Sequence, residues 1–173
     1  MAFLSSPDNL VFFFDEGRFG LQPNIGRCWT HQDVRSSCKV KPGYKNFYLY
    51  SCISPFSGDY FTLILPWVNT DVMNYYLKKL AIAFKDKQLM LVMDQAGWHR
   101  SKNLHKHDNI KLVFLPPYSP ELNPVERLWA WLRKHACRNR LFTLEKDVMD
   151  ALCDSLNYLT KIDYQRLCNC TYL

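Results

Sequence analysis

Apolar residues along this chain follow two rhythms, short unbroken runs and stretches that repeat every three or four positions. Leu10–Phe14, Leu89–Met93 and Ile110–Leu115 are largely apolar runs of the length expected for strands covered on both faces. Tyr44–Ile53 is rich in aromatics and Tyr60–Leu65 in apolar strand formers, and the Ser57-Gly58-Asp59 turn between them predicts an antiparallel hairpin. Helical spacing begins at Met73, Leu77, Leu80 and Phe84, behind a cap at Asn69 or Thr70. Asn123 caps a second helix, with Pro124 at the first position, where a proline sacrifices no bond, and Val125, Leu128, Trp129, Leu132 and Ala136 on one face. A last helix spans about Thr143 to Leu159, with Val148, Leu152, Leu156 and Leu159 inward.

This order predicts an α/β fold. Three antiparallel strands, a helical crossover and two parallel strands make a mixed five-stranded sheet flanked by helices. The right-handed crossover lets Leu89–Met93 lie beside Leu10–Phe14. As parallel neighbours their carboxyl ends would be about 4.8 Å apart. That places Asp15 and Asp94, the acids that follow the two runs, in one crevice at the end of the sheet, where open α/β sheets bind ligands.

With 173 residues and 48% hydrophobic content, the chain can bury one full core. No repeat or Gly/Ser linker divides it, so residues 1–173 read as a single domain. Against 16 acidic residues stand 22 Lys and Arg, a net charge of +6 that suits a polyanionic partner without demanding one. No run approaches the ~20 apolar residues of a membrane helix. No basic residue precedes Leu10–Phe14, as a signal peptide requires, so a cytoplasmic location without membrane contact is expected. The seven cysteines, Cys38 among them, lack the paired spacing of a zinc site and read as reduced thiols.

The chemistry converges on carboxylates. Mg²⁺ and Mn²⁺ prefer hard oxygen ligands, and a few acids at one sheet edge suffice to hold them. Two such ions about 3.5–4 Å apart can hold the attacking and leaving oxygens of a phosphodiester displacement. Asp15 and Asp94 are placed for that task, and Glu126 would close the site from the helix behind the Pro116–Pro124 loop. Each acid also has a plainer reading. Either Asp could be a turn residue, and Asn123 with Glu126 has the spacing of a capping box. Glu16 points away from Asp15 on an extended backbone and is a supporting or surface group, while His99 could touch phosphate or lie in a solvated loop. His99, His105 and His107 suit zinc less well than the acids suit a hard cation. A phosphate-binding glycine loop, a Gly-x-Ser-x-Gly elbow and a Cys/His nucleophile are all missing from the sequence. Arg133, Lys134, Arg138 and Arg140 extend the Glu126 helix, and Arg133 and Arg140 share its face at seven-residue spacing, a basic lane suited to a DNA backbone or an ordinary solvated face. Trp67, Trp98 and Trp131 could stack on unpaired bases or belong to the core.

Leu115-Pro-Pro-Tyr-Ser-Pro-Glu-Leu-Asn-Pro-Val-Glu126, with Asp15-Glu16 and Asp94-Gln-Ala-Gly-Trp-His99, resembles the DDE transposases of the mariner-type superfamily, nearest their bacterial insertion-sequence branch. The resemblance runs from Leu10 to about Leu159 and implies an RNase H-like fold. It implies that Asp15, Asp94 and Glu126 bind the metal, two Mg²⁺ or Mn²⁺ ions, and that water cleaves DNA at transposon ends before the freed 3′ hydroxyl attacks target DNA. The Asp, Asp, Glu order fits the insertion-sequence branch; mariner proteins proper carry a third aspartate. Glu121 stands where relatives carry aspartate and is the runner-up third ligand, and Gln95 replaces a more usual asparagine. Relatives carry helix-turn-helix modules ahead of the catalytic domain and act as dimers or larger assemblies on paired DNA ends. Here the first strand starts a few residues from Met1, so a separately encoded helix-turn-helix subunit is one expectation, with nucleoid association if the source is bacterial. An inactive DNA-binding remnant and an RNase H-like nuclease acting on RNA or hybrids are the alternatives.

Overall fold

The central strand is also the longest, because it serves two partners in succession. In the computed structural model, which describes Phe3, Ser37, Lys39 and residues 6–34 and 43–170, strand β1 runs Asn9–Gly20. Cys38 lies outside the described residues. The elements that follow are β2 (Asn46–Ile53), β3 (Tyr60–Leu65), α1 (Thr70–Ala83), β4 (Gln88–Met93) and β5 (Ile110–Phe114). After them come α2 (Val125–Leu132), α3 (Glu145–Tyr158) and α4 (Lys161–Leu167).

The sheet order is β3-β2-β1-β4-β5. β1 pairs antiparallel with β2 from Phe13 to Gly20 and parallel with β4 from Asn9 to Phe13, while β5 is parallel to β4. The mixed five-stranded sheet flanked by helices is therefore the predicted architecture. One feature differs from expectation. Asp15 is in the middle of β1, opposite Ser51 of β2. It borders the crevice because β4 ends at Met93, one position past Val92, its last pairing with β1. The strand continues because the antiparallel hairpin goes on supplying backbone partners after the parallel neighbour has turned away.

Alternation along β1 sorts its side chains into two cores. Phe13 and Phe19 face a layer built by α2, α3 and α4, where Val125, Leu128, Trp129, Leu132, Val148 and Leu152 are buried. Phe12 and Phe14 face α1, packing with Tyr50, Met73, Tyr76, Leu77 and Leu80. Each large apolar side chain buried this way contributes about 1.5–3 kcal/mol. The apolar positions of α1 fall where the helical spacing put them, and Asn69 Oδ1 accepts the Val72 amide at 2.9 Å as its cap. The second helix starts one residue later than expected, at Val125: Pro124 takes the N-cap position with helical dihedrals, and Asn123, which ends the preceding 3₁₀ turn, accepts the Val125 amide on its Oδ1 at 3.2 Å.

Two departures concern the C-terminal half. α2 continues into a wider π-turn over Arg133–Cys137, after which Arg138 is extended and Asn139 is left-handed. The expected helix face carrying Arg133 and Arg140 therefore ends before Arg140. α4 was not anticipated, yet its Thr160 and Asp163 cap each other's backbone amides, a signal present in the sequence.

Candidate active site

Four elements meet where β1 and β4 part: the middle of β1, the turn after β4, the proline-rich loop after β5, and the first turn of α2. Asp15, Asp94 and Glu126 all line the resulting cleft of about 480 Å³, together with Gln95, Arg100, Pro116, Pro117, Tyr118 and Asn123. The loop is tied to both strands. Gln95 Nε2 donates to the Leu115 carbonyl at 2.8 Å, and Leu115 N donates to the Met93 carbonyl at 2.8 Å. Asn123 Nδ2 donates to the Phe14 carbonyl at 2.9 Å, so the side chain that accepts the Val125 amide also fixes the start of α2 to the strand next to Asp15. Glu126 is exposed, and its carboxylate has no hydrogen bond or ion pair among the described residues. Its carboxylate is not engaged in a capping box, since the Asn123 amide is bonded to the Pro120 carbonyl instead.

Asp15 is held from the helical side. The Trp129 indole Nε1 donates to its Oδ2 at 2.8 Å. Gly17, two residues on and facing the same way, makes room for that ring: a Cβ there would lie 2.8 Å from Trp129 Cδ2. Burial pushes the Asp15 carboxyl up to about 7, against the Trp129 bond and with help from the negative charges of Glu126 and Glu16. Helical spacing places Trp129 in the core but carries no sign of where its indole N–H points.

Asp94 is held from the opposite face of the sheet. His99 Nδ1 bonds to Asp94 Oδ1 at 2.6 Å and His99 Nε2 to Glu16 Oε1 at 2.9 Å. Trp98 Nε1 also donates to Glu16 Oε1, at 3.0 Å. The side chains of His99 and Glu16 are 1% and 6% exposed, so this is an interior bridge that ends on a solvent-facing carboxylate. Burial alone would lower the His99 pKa, but its bonds to Asp94 and Glu16 outweigh that and raise it to about 9. The bond from His99 in turn lowers the Asp94 carboxyl below its usual range. Glu16 does point away from Asp15, yet it belongs to the site through His99.

Other expected residues are placed elsewhere. Glu121 sits on a short 3₁₀ turn (Pro120–Leu122) and does not line the cleft. Arg133 stacks over the Phe19 ring at 5.3 Å. Arg138 donates to the Arg27 carbonyl and anchors the loop after β1; Lys134 and Arg140 are exposed, Arg140 at a small separate cavity. Trp131 stacks on His135 at 4.4 Å, and Trp67 is exposed.

As the side chains stand, no three His, Cys, Asp or Glu among the described residues are gathered tightly enough to hold an ion. The donor set nonetheless suits a hard divalent cation. Three carboxylates share one cleft, both oxygens of Glu126 are unbonded, and Asp94 uses Oδ1 for both of its bonds, to His99 and to the Ala96 amide. A carboxyl held near 7 by burial and neighbouring negative charge is a group that a cation would ionise.

The profile of the DDE superfamily endonuclease family matches residues 10–149. The chain is 38% identical over 113 residues to the uncharacterized protein y4pE/y4sA of Sinorhizobium fredii, covering 65% of this chain and 84% of that protein. It is 27% identical over 152 residues to an Insertion element IS630 39 kDa protein of Shigella sonnei, covering 82% of this chain and 44% of that one. The Transposable element Tcb2 transposase of Caenorhabditis briggsae is 24% identical over 162 residues, which cover 81% of this chain and 59% of the transposase. Among solved structures, the Mos1 Strand Transfer Complex superposes with a TM-score of 0.69 at 20% identity, over 91% of this chain and 50% of that chain. The Mos1 mariner paired end complex with Mn gives 0.70 at 20% identity, over 91% and 51%. The chain thus spans about half the length of several proteins it matches. Its fold is the RNase H-like fold of the Mos1 transposase. By its sequence, this chain belongs to the DDE superfamily endonucleases, of the IS630 and mariner transposase type.

Proposed function

We propose that this chain is the single-domain catalytic part of a DNA transposase, cutting phosphodiesters at transposon ends and joining the freed 3′ hydroxyl to target DNA. The observation that carries this reading is the convergence of Asp15, Asp94 and Glu126 on one cleft from three separate elements. Asp15, Asp94 and Glu126 would hold two Mg²⁺ or Mn²⁺ ions. When bound, those ions supply the positive charge that a phosphodiester displacement needs at its attacking and leaving oxygens.

The protein's own groups orient and exclude. Trp129 fixes one oxygen of Asp15, and His99 with the Ala96 amide fixes one oxygen of Asp94. Each acid is left with a defined outward edge, which limits the rearrangement required when Glu126 is drawn in. Arg100, held by Gln95 Oε1 at 3.0 Å, stands at the cleft wall where a phosphate would enter. The proline-stiffened loop keeps the opposite wall from collapsing onto the acids. Specific recognition of transposon ends and assembly on paired ends would come from a helix-turn-helix module and from self-association. The exposed Lys134 and its basic neighbours would add salt-sensitive contact to the DNA backbone.

The test is nicking of transposon-end DNA with Mg²⁺ present. Asp94→Ala is expected to abolish nicking while leaving the circular dichroism of the fold unchanged. Undiminished nicking by that variant would remove Asp94 from the chemistry.

A further inference from the structure

β5 is the sheet edge on the α1 side of the cleft, and residues 99–108, which lead into it, read His-Arg-Ser-Lys-Asn-Leu-His-Lys-His-Asp. Three permanent cations and three histidines face one acid in that segment. It encloses a groove of about 590 Å³ with β5 and Leu77 of α1, within the size range of a small-ligand site. Arg100, Lys102 and Lys106 stand on the rim, and Leu104, Leu112 and Phe114 line the groove between them. The wall is fastened to α1: Asn74 Nδ2 donates to the Asn103 carbonyl at 3.0 Å, and Asn74 Oδ1 accepts the His105 amide at 2.8 Å.

The groove has two properties that a merely solvated basic loop lacks. His107 Nε2 is closed off from solvent and has no hydrogen-bond partner among the described residues, an unmet polar atom in the lining. Arg100 lines both this groove and the acidic cleft, so the two depressions adjoin. A strand that placed a phosphodiester against Asp15, Asp94 and Glu126 would meet Arg100 next.

We infer that this groove takes an unpaired stretch of the DNA strand leaving the acidic cleft, phosphates on Arg100, Lys102 and Lys106 and a base against Leu104, Leu112 and Phe114. The inference rests on the DNA-cleaving function proposed above. An unpaired strand fits better than a duplex because the lining is apolar and concave. Paired bases are stacked away from such a surface, whereas a splayed base can cover Phe114, which is 39% exposed. The cations supply the matching contact to the backbone.

The test measures the binding of short fluorescein-labelled oligothymidine, and of a duplex of equal length, by anisotropy across a salt series without metal. Lys102→Ala/Lys106→Ala is compared with Lys78→Ala/Lys79→Ala, which removes two exposed cations of α1 that do not line the groove. The groove variant is expected to weaken oligothymidine binding at least about fivefold and to lower the salt slope by about 1.4, roughly 0.7 for each lost phosphate contact. Duplex binding should change less, and the α1 variant should behave as wild type. Equal weakening by both variants, or unchanged oligothymidine binding by the groove variant, would overturn the inference. Plasmid nicking by the wild-type chain, followed separately, reports whether the proposed cleavage stands in either case.

Discussion

The indole of Trp129 and the carboxylate of Asp15 are joined across the interface of α2 and β1 by a 2.8 Å hydrogen bond. Trp129 is 1% exposed and its ring is part of the core, so its one polar atom is aimed by packing. Trp129→Phe keeps most of the ring and removes the donor. It is expected to raise the Asp15 pKa further, because that bond is the largest effect opposing burial there, and to weaken Mn²⁺ binding about 10- to 100-fold, as loss of a ligand-orienting partner does. Calorimetric titration with Mn²⁺ measures this directly; an unchanged affinity would mean that the indole only fills space.

Gly17 is the counterpart of that bond. A Cβ at this position would approach Trp129 Cδ2 to 2.8 Å and Phe19 Cε2 to 2.9 Å, and both rings are packed in the core. Gly17→Ala should therefore cost about 1–3 kcal/mol, the range for overpacking. It should also change the tryptophan fluorescence as the indole is displaced from Asp15. Urea unfolding of the variant gives the first quantity. A stability equal to wild type would show that β1 and α2 can separate freely at this point.

How far the sequence carries can be read from these same residues. Periodicity located every strand of the sheet and the apolar faces of α1, α2 and α3, because those elements bury one side and alternate or repeat accordingly. Three acids were legible as cleft residues because two follow apolar runs and one opens a helix. The extent of β1 was not legible: it depends on β2 continuing to pair after β4 stops, a property of the neighbours and not of Asp15 or Glu16. The basic lane failed at Arg138 for a similar reason. A π-turn and the left-handed Asn139 redirect the chain, and Arg138 is used to anchor the loop at Arg27. The Glu16–His99 bridge joins residues 83 positions apart and leaves no trace in local spacing.

That bridge makes a prediction of its own. Glu16 is an interior carboxylate whose partners are His99 and Trp98. His99→Ala leaves it with the indole alone, and removal of one partner from a buried ion pair costs about 3–5 kcal/mol. Adding Glu16→Gln to His99→Ala removes the stranded charge and should recover a substantial part of the loss. Chemical denaturation of the two single variants and the double variant forms the cycle. Additive losses would mean that His99 and Glu16 do not depend on each other.

Stability should also fall as pH rises across the neutral range, and the site is the reason. Asp15 is raised from 3.8 to about 7, so the folded chain holds that proton more tightly than the unfolded chain does. The stabilisation this gives is complete below about pH 4 and is lost by the time pH has risen through 7. His99, raised from 6.5 to about 9, has the same sign: its contribution is full below 6.5 and disappears as pH passes 9. Asp94 opposes both only in acid, since its lowered pKa stabilises the fold above 3.8 and that gain is lost below it. Unfolding free energies should therefore decrease from pH 5 to pH 9, by an amount on the order of a few kcal/mol. Asp15→Asn, which keeps an acceptor for the Trp129 indole, should flatten the portion below pH 7 and leave the portion governed by His99. In the wild-type chain, Mg²⁺ or Mn²⁺ should restore stability at pH 7–8, where the cation takes the place of the departing proton, with apparent affinity rising as pH passes 7. Parallel profiles for the wild type and Asp15→Asn between pH 5 and 7 would refute the burial-raised carboxyl at Asp15.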